Sequence, residues 1–468
     1  MSELWRKSAL ELAAMIRARQ VSSREVVQAH LDRVAKVNPD VNAIVRLLTE
    51  QALAAADLAD RAVANGAELG PLHGIPVTVK ENIDLAGTPT TQAVPGLANA
   101  IASIDAPQVE RLRAAGAIPI GRTNLPDFGL RVHTYSALHG LTRNPWDPQR
   151  TSGGSSGGEA AALATGMTTL GLGNDLGGSL RNPAHCCGVA SIKPSTGSVP
   201  AATVIPPEDL PISFQLMAVE GVMARRVADV RAGFTAIAGQ HPRDPLSVPV
   251  TFTDLDPSAR PRVAVLPEPP GGSTHPGVAS AVRRAADALS DDGFEVTEAV
   301  PPDYEEAIEL WNAVLSPDLR VMKPQLDELM GPGGRQFLGY AFDNLPAPDL
   351  AGWAIAHTAR HGLARRWSLW YQEYPVLLSP VWSQPAFEVD FDISSAEGAM
   401  ATFELMRPVM PANLLGTPAA VVPAGMADGV PVGVQVMGAR YTELRCLAIA
   451  EAIENRLGPL TPIDPVTA

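Results

Sequence analysis

Near its N-terminus the chain repeats apolar residues at a helical period. Leu10, Ala13 and Ala14 mark one helix, with Arg17 in register. Ser22-Ser23-Arg24-Glu25 then reads as a capping box, in which Ser22 accepts from the backbone N–H three residues on and Glu25 reaches back. Val26, Val27, His30, Leu31 and Val34 carry the period forward, and Asn38-Pro39 is expected to stop it. Residues 50–65 are Ala-rich and helical, closed by Gly66. From Gly74 the pattern shortens. Ile75-Pro76-Val77-Thr78-Val79-Lys80 predicts a strand with Pro at its entry, where no ladder N–H is required. A helix over 109–115 ends at Gly116, and residues 117–120 predict a second strand.

Residues 139–158 are almost all turn formers, and an Ala-rich helix over 159–165 follows directly. A Pro-rich link after about residue 245 leads to a strand over 262–266, a helix over 278–289 and a strand over 294–296. Residues 301–400 hold five of the seven tryptophans, Trp311, Trp353, Trp367, Trp370 and Trp382. They predict helices packed over one side, as the roof of a pocket or as plain core. Strand texture returns at 419–422 and 432–436, and a helix over 443–456 closes the chain. Short strands alternating with helices imply an α/β fold. No internal repeat is visible.

Composition narrows the class. Hydrophobic residues make up 46% and charged residues 18% of 468, so the chain can bury a large core and disorder is excluded. A net charge of −14 without a basic stripe argues against nucleic acid as a direct partner. No run of 18 or more apolar residues is present, so no membrane span is expected. Glu3 and Glu11 interrupt the N-terminal apolar pattern, unlike a signal or transit peptide. Cys186, Cys187 and Cys446 are odd in number, and the adjacent pair is poorly placed for a disulfide. They read as buried small residues in a reducing cytoplasm, and no metal-ligand spacing occurs.

Two glycine-flanked serines stand out: Gly153-Gly154-Ser155-Ser156-Gly157-Gly158, and Gly177-Gly178-Ser179 24 positions on. A Gly/Ser run alone is usually a linker, but a linker is seldom followed at once by a helix. Glycines at both serines permit close backbone approach to a reacting carbonyl. Gly153 to Gly157 also matches G-x-S-x-G. That elbow requires a strand immediately before it, and Asn144-Pro145-Trp146-Asp147-Pro148 cannot form one. Lys80 is one of only five lysines and ends an apolar strand. It is either a strand-end side chain reaching water or a buried amine kept neutral by desolvation.

Taken together, Gly74-Ile75-Pro76-Val77-Thr78-Val79-Lys80-Glu81-Asn82, the GGSSGG run and Asp175-Leu176-Gly177-Gly178-Ser179-Leu180-Arg181 resemble the amidase signature family in order and spacing. The likeness extends to residues 413–419 and 429–435 and covers nearly the whole chain. It implies a single α/β domain built on a mixed β-sheet surrounded by helices, with N-terminal helices over 1–70, a catalytic core over 71–245, a variable helical cover over 246–400 and a return to the core over 401–468. It further implies a triad of Ser179 as nucleophile, Ser155 after a cis peptide as proton relay, and Lys80 as base. The backbone N–H groups of Leu176, Gly177, Gly178 and Ser179 are implied as the oxyanion hole. Asp175 and Arg181 would brace the glycine loop, and Ser156 would orient the lysine. The chain departs from the family at Asn174, where a small hydroxyl residue is common. No cofactor or metal is implied.

By the same resemblance Gly129, Leu130 and Val132 lie beside the acyl pocket, whose apolar character favours a hydrophobic aryl amide or anilide, with carbamates open to the same acyl chemistry. The expected partner is that small molecule alone; a homodimer stays open. Two rivals remain: the glutaminase component of a tRNA-dependent amidotransferase, and a noncatalytic binding protein on the same fold.

Overall fold

The first two α-helices begin where the sequence supplies a cap. In the computed structural model, which describes residues 3–256 and 258–467, α1 (Ala9–Arg17) starts at a capping box of Ser8 with Glu11, and α2 (Ser23–Val41) at the predicted box of Ser22 with Glu25. The expected stop at Asn38-Pro39 does not occur. Pro39 lies inside the last turn of α2, which ends at Asn42 in the left-handed conformation, φ 56°. The Asn38 carboxamide explains this: its Oδ1 accepts from the N–H groups of Ala43 and Ile44, and its Nδ2 donates to Ile44 O. These bonds hold the exit turn and offset the single backbone bond that a proline removes.

β1 (Ile44–Leu47) and α3 (Thr49–Ala64) lead to β2 (Pro76–Lys80), α4 (Pro107–Ala114) and β3 (Ile118–Thr123). A short ribbon of β4 (Tyr135–Ser136) and β5 (Gly140–Leu141) precedes α5 (Gly157–Ala164), β6 (Leu170–Asp175), α6 (Arg181–Cys187), β7 (Ala190–Lys193), α7 (Ile212–Met217), β8 (Val219–Ala224) and α8 (Val227–Ile237). Then follow β9 (Val263–Val265), α9 (Pro276–Asp291), β10 (Val296–Glu298), α10 (Tyr304–Leu329), α11 (Pro332–Asn344), α12 (Leu350–Glu373) and β11 (Val376–Pro380). The chain finishes with α13 (Ala396–Leu405), α14 (Met410–Leu415), β12 (Ala419–Ala427), β13 (Val430–Gly438) and α15 (Glu443–Leu457).

Eleven strands form one mixed sheet in the order β1-β3-β2-β6-β8-β7-β12-β13-β11-β9-β10. The pairs β3–β2, β2–β6, β11–β9 and β9–β10 are parallel and the other six antiparallel. Strand side chains alternate between two cores. Val376 and Leu378 pack with α9 and α15 on one face; Leu377 packs with α10 and α12 on the other. The sheet is thus covered on both faces, and β2 is buried at every position.

The segment 301–400 is not only a helical cover. It contributes β11, inserted between β13 and β9. The strand expected over 294–296 begins two residues later, at Val296, because Phe294 N–H is still bound to Leu289 O at the end of α9. Among the described residues no helix is long and apolar enough to cross a membrane.

Close packing also fixes the entry of α5. A Cβ added at Gly158 would sit 2.5 Å from Asn124 O and 2.6 Å from Asn124 N, both backbone atoms. Gly158→Ala is therefore expected to lower stability by about 1–3 kcal/mol, read as an earlier midpoint in urea unfolding with an unchanged slope.

Candidate active site

Lys80 ends β2 with no exposed surface. Its Nζ lies 2.7 Å from Ser155 Oγ and 2.6 Å from Asn174 Oδ1. Burial pushes the amine down from its ordinary value to about 7, against the opposing pull of the Glu220, Asp175 and Glu159 carboxylates. The peptide bond Gly154–Ser155 is cis. The backbone of Gly129, at φ +70°, passes so close that a Cβ there would be 3.1 Å from Ser155 Oγ.

Ser179 stands between β6 and α6 and is 7% exposed. Its carbonyl accepts from Ser156 N–H at 3.1 Å, which ties the two serine loops together. Asp175 organises the turn: Oδ1 accepts from Gly178 N–H at 2.8 Å and Oδ2 from Leu180 N–H at 3.1 Å. Arg181 grips the same carboxylate through Nε and Nη2, both at 3.0 Å, and reaches on to Asn413, Gln435 and Val409 O. Burial alone would raise the Asp175 carboxyl, but the Arg181 guanidinium overrides it and holds the group well below the usual carboxylate range. Among the described residues no protein acceptor takes the N–H of Leu176, Gly177 or Ser179.

Gly129, Leu130 and Val132 line one cavity together with Leu176, Gly177 and Ser179. Trp311, Leu315, Phe337, Phe342 and Phe403, from α10, α11 and α13, line it as well, Trp311 packing against the Leu176–Gly177 loop. The cavity volume is about 80 Å³, within about 700 Å³ of empty space that takes in the open solvent at its mouth. Residues of the 301–400 segment thus line this cavity, although of the five tryptophans only Trp311 does so. Among the described residues of the lining, Arg131 is the one ionised side chain, and Asp392 binds it at 2.7 and 2.8 Å.

Two expectations change. Gly178 N–H points at Asp175, leaving Leu176, Gly177 and Ser179 as the free donors of the loop. Ser156 Oγ is buried without a hydrogen-bond partner and does not touch the lysine; Asn174 takes that place. In the sequence Asn174 is visible only as a departure from a pattern. Glu220, opposite it on β8, carries no sequence signal at all. Cys186 and Cys187 are buried in α6, where burial pushes both thiols far up. Among the described residues no group of three or more His, Cys, Asp or Glu is arranged to hold a metal.

Removing one partner of a buried ion pair strands the other charge. Arg181→Met is expected to cost about 3–5 kcal/mol, measurable as a lower unfolding free energy in guanidinium.

A family model described as Amidase matches residues 25–447. The indoleacetamide hydrolase of Bradyrhizobium diazoefficiens is 42% identical over 462 residues, covering 98% of this chain and 88% of that protein. The acylamidase of Rhodococcus erythropolis is 34% identical over 459 residues, covering 96% of this chain and 94% of that protein. Among solved structures, 6-aminohexanoate cyclic dimer hydrolase in complex with substrate matches with a TM-score of 0.84 at 27% identity, over 97% of this chain and 98% of that one. On a match spanning nearly its full length, the chain belongs to the amidase signature family and is a hydrolase of C–N bonds in amides.

Proposed function

We propose that the enzyme hydrolyses carboxamides whose acyl side carries a flat aromatic group, arylacetamides of the indoleacetamide kind first, through Ser179, Ser155 and Lys80. The observation that carries this reading is a fully buried lysine amine, 2.7 Å from the Ser155 hydroxyl, behind an apolar slot with Ser179 in its wall. A serine hydroxyl needs an adjacent base to attack a carbonyl. Asn174 Oδ1 can only accept, so it fixes one amine hydrogen and leaves the lone pair of a neutral Lys80 free for the Ser155 proton. Ser155 in turn takes the Ser179 proton as the new C–O bond forms. The N–H groups of Leu176, Gly177 and Ser179 are available to the oxyanion, each such donor lowering the barrier by about 3 kcal/mol. As the C–N bond breaks, the proton returns from Lys80 through Ser155 to the leaving nitrogen. Water then hydrolyses the acyl-enzyme by the same path, giving carboxylate and ammonia or amine.

The lining supports an aromatic acyl group over glutamine, since its one charge, Arg131, is already neutralised by Asp392. That disfavours the amidotransferase reading. One polar feature interrupts the slot. Asn312 donates from Nδ2 to Ile308 O at 3.1 Å, and because a carbonyl only accepts, its Oδ1 is left as a buried acceptor without a donor. A ring N–H satisfies such a group; the identity with an indoleacetamide hydrolase points the same way.

The test is a panel of indole-3-acetamide, 1-naphthylacetamide, a p-nitroanilide, a phenyl carbamate and glutamine. Turnover of the arylacetamides, lost together with fluorophosphonate labelling in Ser179→Ala, is the expected result. Glutaminase activity in their absence overturns the substrate reading. Asn312→Leu should raise KM for indole-3-acetamide about tenfold, the loss of one hydrogen bond, and leave the naphthyl analogue, which has no ring N–H, nearly unchanged.

A further inference from the structure

Beyond Asn174, which bonds the Lys80 amine, lies a carboxylate with no assigned task. β6 and β8 run antiparallel with Asn174 directly opposite Glu220, so their side chains are cross-strand neighbours. Lys80 donates to Asn174 Oδ1 at 2.6 Å, which fixes the orientation of the carboxamide. Its Nδ2 is thereby turned towards Glu220 Oε1, 3.5 Å away. Among the described residues Glu220 Oε2 is buried with no hydrogen-bond partner within 3.5 Å, and the Gln108 side chain is a further neighbour that favours the charged carboxylate.

We propose that Glu220, acting through the Asn174 carboxamide, is a positioning residue that sets how readily the Lys80 amine holds a proton, and with it the pH range in which the enzyme works. This rests on the reading of Lys80 as the base. Three carboxylates face that amine: Glu220 from β8, Asp175 from β6 and Glu159 from α5. Asp175 is bound by Arg181 through two guanidinium nitrogens. Glu159 accepts from the hydroxyls of Thr78 and Thr123, at 2.5 and 2.7 Å, with Arg122 as a further positive influence on it. Among the described residues Glu220 has no ion-pair partner within 4.0 Å. Asp84 also faces it, but Asp84 is held by Thr90 Oγ1 and Val204 N–H, both at 2.7 Å. Burial raises Glu220 to about 7, with Lys80 pulling it down, so lysine and glutamate titrate over the same range. Each favours the charged form of the other. When Lys80 takes the proton from Ser155, the positive charge stays on the amine and the carboxylate beyond the bridging amide stabilises it.

The sign of the effect follows. A base must be neutral to work, so kcat/KM should rise with pH through about 7 in the native enzyme. Glu220→Gln keeps the shape and removes the negative charge. Lys80 then loses its proton more readily, and the acid limb should move down by about one pH unit, with the high-pH plateau changed less than about threefold. On the low-pH side that is about a tenfold gain in kcat/KM. Asn174→Ser removes the bridge; in that background Glu220→Gln should shift the limb by less than half as much. A limb that stays at its native position in Glu220→Gln, or a uniform loss of rate at every pH, overturns the inference. If Glu220→Gln does not fold, the Asn174→Ser limb decides alone, since it too should lie below the native one. Should Lys80→Met retain activity with no limb near neutrality, the reading of Lys80 as base has failed instead.

Discussion

An amine without exposed surface is costly to charge, and the centre of this molecule is arranged around that cost. Lys80 ends a strand buried on both faces, and β3 and β6 flank it in parallel register. Side chains from α5, β6 and β8 give it polar surroundings. Any opening there would hydrate the amine and return it to its ordinary ammonium form. The glycines at 129 and 158 belong to the same constraint, since each lets a backbone segment close on the site with no space for a side chain. A dry lysine is a packing result before it is a chemical one.

The second requirement is a loop that keeps its N–H groups free. A buried loop normally consumes its donors. Here Asp175 takes two of them, from Gly178 and Leu180, and leaves the rest unpaired. Its charge is balanced by Arg181, whose other bonds run to Asn413 and Gln435. The turn after β6 is therefore fastened by one guanidinium to α14 and β13, whose residues stand 232 and 254 positions further along the chain. Serine loops and C-terminal segment are a single mechanical unit.

The helical wall of the pocket is built differently. It comes from α10, α11 and α13 and is largely apolar, tied to the other side by Trp311 Nε1 on Leu176 O and by the Gly331 N–H, at the start of α11, on Asp127 Oδ2. Dispersion and burial select a shape there, whereas the polar scaffold below selects atoms and protons. The pocket thus joins two kinds of structure, helices from one segment and the sheet with its loops from another. Asn312 Oδ1 interrupts the helical wall as a buried acceptor without a donor among the described residues.

Much of this is legible in the chain. Capping at Ser22, the strand ending at Lys80, the glycine-bound serines and the helix after them depend on neighbouring residues, and short-range chemistry writes itself into short stretches of sequence. The stop at Pro39 is not, because the bonds that carry α2 past it come from Asn38 folding back on Ala43 and Ile44. β6, β7, β8 and β11 also escape a reading by pattern: a strand such as Leu170–Asp175, buried except at Asn174 and rich in glycine, shows no apolar–polar alternation and no β-branched residues. Ser156 and Asn174 trade roles for the same kind of reason, since which polar atom reaches the lysine depends on where β6 lies beside β2. What the chain alone determined was the inventory of reacting groups and their local geometry. Only the tertiary structure decided which of them share a dry space, because desolvation and cross-strand contact are properties of residues brought together from distant parts of the chain.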